Sequence, residues 1–213
     1  ALVLDRGFYS KDDVIEMLRK RYAFTLGTKV SLVFVKDASK AARDHMMNPG
    51  SFDDEHRVFH SVVPIPFAVP IRGRGPNERK AYLHLYCNKE KEADDVTALM
   101  ARIKKLRMQL ETGKITASRK ELSSYFTLTI AKDTDEITAF TENRELITDA
   151  MNRCGFFALL TSEKELDSAQ VLSIYRKKDK VEKSCTTSRI DCLCAGHEAA
   201  VMRAQAERFP SST

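Results

Sequence analysis

The sequence predicts an α/β fold, and three observations carry that prediction. The opening reads strand, turn, helix, strand. Near the other end, a strongly apolar strand, Gly155 to Thr161, precedes a helix that Ser168 caps and that runs from Ala169 to about Lys183. Between them lies a mixed stretch with its own helix and its own alternating strands.

The elements follow in order. Ala1 to Leu4 is a short apolar run that ends on Asp5, and Gly7 breaks the pattern. Ser10 can cap a helix whose first turn carries Asp12 and Asp13. Val14, Met17 and Leu18 give that helix an apolar face, which ends near Tyr22. Ala23 to Gly27 and Val30 to Val35 are strand candidates. Pro49 to Pro76 is rich in Pro, Gly and charge, which predicts loops and short strands. Tyr82 to Tyr86 reads as a strand. Glu90 to about Glu111 reads as a helix, with Val96, Leu99, Met100, Ile103, Leu106 and Leu110 at helical spacing. Tyr125 to Ile130 alternates as a half-buried strand that Glu136 to Phe140 can pair with, and Glu142 to Arg153 is a further helix.

Composition narrows the function classes. The 213 residues are enough to bury a core, and 43% of them are hydrophobic. Lys and Arg number 35 against 30 Asp and Glu, a surplus that permits a polyanionic partner. The longest apolar run, Val62 to Ile71, is cut by Pro64, Pro66 and Pro70 and falls far short of a membrane span of roughly 20 residues. The N-terminus lacks the basic start and long apolar core of a signal peptide. Five cysteines, an odd number without an export signal, point to a reducing compartment. The chain has no initiator Met and opens directly on a strand, which predicts a fragment.

Two places hold residues suited to chemistry. Asp5 stands at the C-terminal end of a buried strand before a Gly turn, where open α/β sheets place their ligands. The competing reading is an Asp that caps a turn. The second place is the last helix, Tyr175-Arg176-Lys177-Lys178-Asp179-Lys180-Val181-Glu182-Lys183. At about 100° per residue, Tyr175, Lys178 and Glu182 fall at about 0°, 300° and 340°, on one face. A carboxylate among cations suits a face that meets both a metal and phosphates. The competing reading is a solvated helix with ordinary ion pairs.

Taken together, the segments resemble a known family. Val3-Leu4-Asp5-Arg6-Gly7-Phe8-Tyr9-Ser10 resembles the second acidic motif of the DDE transposases of bacterial insertion sequences, which have RNase H-like catalytic cores. Gly155-Phe156-Phe157-Ala158-Leu159-Leu160-Thr161, followed by Ile174 to Ser184, resembles the third. It is similar to the subgroup whose signature is Tyr, two residues, Arg, three residues, Glu, six residues, Lys. Tyr175 and Glu182 match. Lys178 stands in the Arg position, keeping the charge without the planar fork. The final basic position falls on Arg189.

The resemblance implies a partial RNase H-like mixed sheet with flanking helices, interrupted by an α+β insertion domain. It divides the chain into residues 1–40, the second half of the core; 41–153, the insertion; 154–184, the final strand and glutamate-bearing helix; and 185–213, a tail. It implies cleavage and strand transfer at insertion-sequence ends by metal-dependent phosphoryl displacement, in which two cations activate the nucleophile and stabilise the leaving oxygen. Asp5 and Glu182 take the catalytic and metal-ligand roles, with Mg²⁺ or Mn²⁺ as the cation. Tyr175, Arg176, Lys178 and Lys183 take DNA. The partners are double-stranded insertion ends and target DNA, with a homodimer for the intact enzyme and no membrane. The location implied is the bacterial cytoplasm, at the nucleoid. The family's first Asp lies on an earlier strand absent from this chain, so the chain alone is expected to be inactive. The alternatives are a non-catalytic DNA-binding or interaction remnant of a transposase and an unrelated α/β metal-dependent nuclease.

The tail departs from the family after Ser184. Cys192, Cys194 and His197 suggest zinc, but the spacing lacks a CxxC knuckle. Codons read one base out of phase from Thr186 onward permit Asn-Leu-Lys-Asp-Arg, then Leu, then Ser-Met-Arg-Arg-Ala, the string similar family members carry. Residues from about Cys185 are therefore expected to be out of frame and disordered. Arg102, Lys104, Lys105 and Arg107 form a basic cluster on the middle helix, read either as its wet face or as phosphate contacts. His56 and His60 would share a metal only if their stretch were helical.

Overall fold

The computed structural model describes residues 1–71, 73–131 and 136–187, with residues 74 and 179–187 as backbone only. Two compact units divide the chain, Ala1–Val171 and Leu172–Thr213.

The first unit is mixed α/β. β1 (Leu2–Leu4) leads through a 3-10 turn (Arg6–Phe8) into α1 (Lys11–Lys20) and then β2 (Phe24–Thr28). β1 and β2 are parallel, in the register Leu2 to Phe24. Ser10 caps α1 by accepting from the Asp13 N–H, and Asp12 and Asp13 sit in the first turn, where the helix dipole favours them. β3 (Phe52–Asp53), β4 (Val58–Ile71), β5 (Arg74–Cys87) and β8 (Phe156–Thr161) complete a six-stranded sheet in the order β1-β2-β8-β5-β4-β3. All pairings after the first are antiparallel.

One face of the sheet is apolar. Phe24 and Leu26 of β2, Phe156, Ala158 and Leu160 of β8, Ala81, Leu83 and Leu85 of β5, and Phe67 and Val69 of β4 line it. Val14, Met17 and Leu18 of α1 pack there, with Val35, Ala38, Ala42 and Met46 of α2 (Val33–Met46). α2 corrects one expectation, since Val30 to Val35 is not a strand. The β-branched Val33 and Val35 begin a segment whose apolar positions recur every three or four residues, and the helix-favouring Lys36, Ala38, Lys40, Ala41, Ala42 and Arg43 follow. Helical spacing outweighs the local strand propensity of three residues.

Pro49 to Pro76 also folds otherwise than expected, because β4 is a 14-residue strand. Pro64, Pro66 and Pro70 share one parity. β3 pairs with β4 only at Val58 and Phe59, so beyond that point the outer side of β4 is an open edge. A proline there gives up no ladder bond and blunts edge-to-edge pairing.

The stretch 41–153 divides. β3, β4 and β5 belong to the six-stranded sheet. The rest, α3 (Lys89–Thr112), the short α4 (Arg119–Leu122), the hairpin β6 (Phe126–Ile130) with β7 (Ile137–Glu142), and α5 (Arg144–Met151), builds a second core. Ile103, Leu106, Leu122 and Phe126 are its buried residues, with Phe140 edge-on to Phe126. α3, β6, β7 and α5 lie within a residue or two of their expected bounds.

The chain leaves the sheet at Asn88 and returns at Gly155. Asn88 N–H donates to the Gly155 carbonyl at 3.0 Å, and Gly155 N–H donates to Asp95 Oδ2 at 3.0 Å. Gly155 has φ +75°, and a Cβ there would lie 2.6 Å from the Asn88 carbonyl oxygen and 2.6 Å from Glu92 Cβ. Strain and clash add. Gly155→Ala should therefore lower unfolding stability by about 2–5 kcal/mol, read as a drop in the urea midpoint.

Candidate functional site

Asp5 follows β1 directly and is exposed, on the carboxyl side of the parallel pair β1 and β2. Its backbone is extended (φ −78°, ψ 166°), and its Oδ1 accepts from the Arg6 N–H at 2.7 Å. The carboxylate thus caps the 3-10 turn, as the plainer reading of the sequence expected. It is also an accessible hard oxygen donor, of the kind Mg²⁺ and Mn²⁺ take. Among the described residues, no group of three or more His, Cys, Asp or Glu is arranged to hold a metal.

α6 (Ser168–Thr187) bears the other candidates, and its backbone is helical throughout. Tyr175, Arg176 and Lys178 are half-buried. They lie in the second unit and Asp5 in the first. The helical backbone keeps Tyr175, Lys178 and Glu182 at the spacing that puts them on one face. The side chains of Glu182 and Lys183 lie outside the described residues, as do Arg189, Cys192, Cys194 and His197.

The start of α6 differs from the expected cap. Asp167 Oδ1 accepts from the Gln170 N–H at 2.8 Å, and Gln170 Oε1 accepts from the Asp167 N–H at 3.1 Å, a reciprocal capping box. Ser168 instead turns to the sheet. Its Oγ lies 3.0 Å from His84 Nδ1, and its carbonyl accepts from the Tyr86 hydroxyl at 2.8 Å. His84, Tyr86 and Ser168 are all essentially buried. Tyr86 stacks on Phe157 with ring centroids 4.8 Å apart.

His84 Nε2 is buried without a hydrogen-bond partner among the described residues. Burial pushes the imidazole pKa down to about 4, with the charge of His60 adding and that of Asp167 opposing. The sequence offered one signal for this cluster: the alternation Tyr82-Leu83-His84-Leu85-Tyr86 puts His84 and Tyr86 on the same side of the strand.

The basic cluster on α3 splits into two roles. Arg102 pairs with Glu121 at 2.9 Å and Arg107 pairs with Glu142, so both fasten the second core. Lys104 and Lys105 line a shallow surface cleft of about 390 Å³ with Met108 and Lys114. His56 lies in a turn, its Nδ1 2.7 Å from Asp53 Oδ2, and His60 is on β4. The stretch is not helical, and the condition for a shared metal is not met. Cys87 and Cys154 are buried free thiols, and burial pushes Cys87 up to about 11. Among the described residues, no helix is long and apolar enough to cross a membrane.

Compared with protein-family models, curated proteins and solved structures, the chain matches none.

Two measurements probe these positions. Asp5→Ala should cost about 1 kcal/mol by loss of the turn cap, while Asp5→Asn, which keeps an acceptor oxygen, should cost a few tenths; thermal melts distinguish them. For His84, the unfolded chain binds the extra proton between pH 6.5 and about pH 4. Stability should thus fall as pH is lowered through that window. The difference in urea midpoint between wild type and His84→Gln should shrink over the same window.

Proposed function

We propose that the chain is part of a DDE-type transposase of a bacterial insertion sequence, acting on double-stranded DNA through metal-dependent phosphoryl transfer. The observation that carries the reading is Asp5, an exposed carboxylate at the carboxyl end of β1 beside the parallel β2, where α/β sheets place ligands. The ordered pair of acidic motifs adds to it. So does the unbroken helix that spaces Tyr175, Lys178 and Glu182 on one face. In this reading β1 and β2 belong to an RNase H-like core, and the segment with its own apolar centre, between β5 and β8, belongs to the insertion.

Asp5 and Glu182 would each offer a carboxylate to Mg²⁺ or Mn²⁺, which would supply the charge that stabilises an in-line displacement at phosphorus. Asp5 is positioned by its turn, and the Arg6 N–H orients one of its oxygens. Tyr175, Arg176, Lys178 and Lys183 take the DNA backbone, and Lys178 does so as a point charge. Paired metals need a cluster of carboxylates. The resemblance calls for a further one on another strand, so the chain alone is expected to bind insertion ends without cleaving them.

The test titrates labelled duplex ends with and without Mg²⁺. The reading expects salt-sensitive duplex binding that Mg²⁺ tightens, with the tightening lost in both Asp5→Asn and Glu182→Gln. Lys178→Ala should reduce the slope of log affinity against log salt by about 0.9, one phosphate contact. Duplex binding indifferent to Mg²⁺ and to Asp5→Asn would replace the catalytic reading with a non-catalytic DNA-binding one. Absence of duplex binding would remove both.

A further inference from the structure

A second basic surface lies in the first unit, on residues that the transposase reading does not use. α1 ends in a Schellman arrangement: Arg21 N–H donates to the Leu18 carbonyl at 3.2 Å and Tyr22 N–H to the Met17 carbonyl at 3.0 Å. The position that closes such a motif needs a left-handed backbone and usually takes glycine. Here it is Arg21, at φ 58°, ψ 35°. A non-glycine residue pays strain in this region, and strain retained at a surface turn is a pointer to use.

The surroundings say what the use is. Arg21, Tyr22, Arg79, Lys80, Ser162 and Glu163 line a cleft of about 410 Å³. Three cations face one carboxylate there. Glu163 is already engaged, since Ser162 Oγ donates to it at 3.1 Å. Arg79 is held in place by donating to the Leu18 carbonyl at 2.7 Å, which occupies one of its five N–H groups. Arg21 and Lys80 are exposed. Tyr22 is 50% exposed at the rim, with Lys20 Nζ 6.0 Å from the ring centroid. Cations at a helix C-terminus also answer the dipole. That role explains neither a strained arginine where glycine would serve nor an exposed aromatic ring beside it.

We propose that this cleft binds a single-stranded nucleic acid, with one base stacked on Tyr22 and the adjoining phosphates on Arg21 and Lys80. Aromatic stacking needs an unpaired base, and a ring flanked by cations is the usual platform for one. A base flat on the ring would sit between Tyr22 and the cations that follow the backbone. Asp5 and α6 take no part, so this site and the transposase reading can fail separately.

Fluorescence anisotropy of a labelled oligodeoxythymidine of about 12 nucleotides tests the proposal. Tyr22→Ala should weaken binding about 5- to 100-fold, and Tyr22→Phe should restore it. Arg21→Gly should raise Tm by relieving the strain while weakening binding and lowering the salt slope by about 0.7. Weaker binding in a more stable protein is not a folding defect. An abasic strand of the same length should bind more weakly than the oligothymidine, and poly-glutamate should compete poorly. Unchanged affinity in Arg21→Gly and Tyr22→Ala overturns the proposal. So does equal binding of the abasic strand, or effective competition by poly-glutamate, which would mark the cleft as a general anion surface.

Discussion

The pairing of β5 with β8 is the constraint on which the rest of the first unit depends. Cys87 sits opposite Phe156, so the chain must leave the sheet and return to it at nearly the same point. Every residue from Asn88 to Gly155 is spent on that excursion. The closure is tight: a backbone bond joins Asn88 to Gly155, and Asp95 takes the next N–H. Arg43 of α2 reaches across to Glu92 of α3 and donates to the Asn152 carbonyl at 2.6 Å, with its guanidinium over the Phe156 ring at 5.5 Å. Burial would raise the Glu92 pKa, but hydrogen bonds from Lys89 and Arg43 outweigh it and hold the carboxyl below its ordinary range. The second core therefore hangs from a charged, hydrogen-bonded joint, not from a flexible linker.

The two faces of the sheet do different work. One is apolar, covered by α1 and α2. The other carries Thr25, Thr161, His84 and Tyr86, all buried. Buried polar groups hold their place only when bonded. Thr161 Oγ1 donates to the Phe24 carbonyl at 2.8 Å, and Ser162 Oγ accepts from the Phe24 N–H at 3.0 Å, so both ends of that peptide unit's neighbourhood are tied to β8. Tyr86 and His84 fix the first turn of α6 in the same way. The first turn of α6 is thus bonded to the sheet by a polar cluster, in which His84 Nε2 has no hydrogen-bond partner among the described residues.

Much of this fold was legible in the sequence because it is local. Ser10 as a cap, the apolar spacing of α3, the alternation of β6 and the apolar run of β8 each depend on residues a few positions apart. What was not legible is long-range. Nothing near Val33 says that Val35, Ala38 and Ala42 will meet a sheet, so a β-branched run read as a strand. Nothing near Pro64 says that its strand lies at an edge, so three prolines read as breaks. The site divides the same way. Asp5 at a strand end follows from the apolar run before it, and the face shared by Tyr175 and Lys178 follows from helical arithmetic. The cleft of Arg21, Arg79 and Lys80 joins residues some 60 positions apart, and only the packing of α1 beside β4 and β5 makes it.

Part of the positive charge is assigned to particular contacts by the fold. Several cations are consumed as fasteners: Arg19 and Lys20 on Glu16, Arg43 and Lys89 on Glu92, Lys91 on Asp95, Arg102 on Glu121, Arg107 on Glu142. Exposed pairs of this kind add little stability each, but they remove their charges from the outer field. Among the cations outside these pairs, Arg21 and Lys80 line one cleft and Lys104, Lys105 and Lys114 another, while Lys11, Lys29, Lys36 and Lys40 are exposed elsewhere on the surface. An even scatter of unpaired lysines would serve solubility alone. Concentration into concave patches raises the local potential and draws polyanions to defined points. Glu92, Asp95, Glu121 and Glu142 are drawn into the joints of the second core. The ion pairs that hold α3 in place therefore take Arg102 and Arg107 out of its basic cluster and leave Lys104 and Lys105, with Lys114, around one cleft.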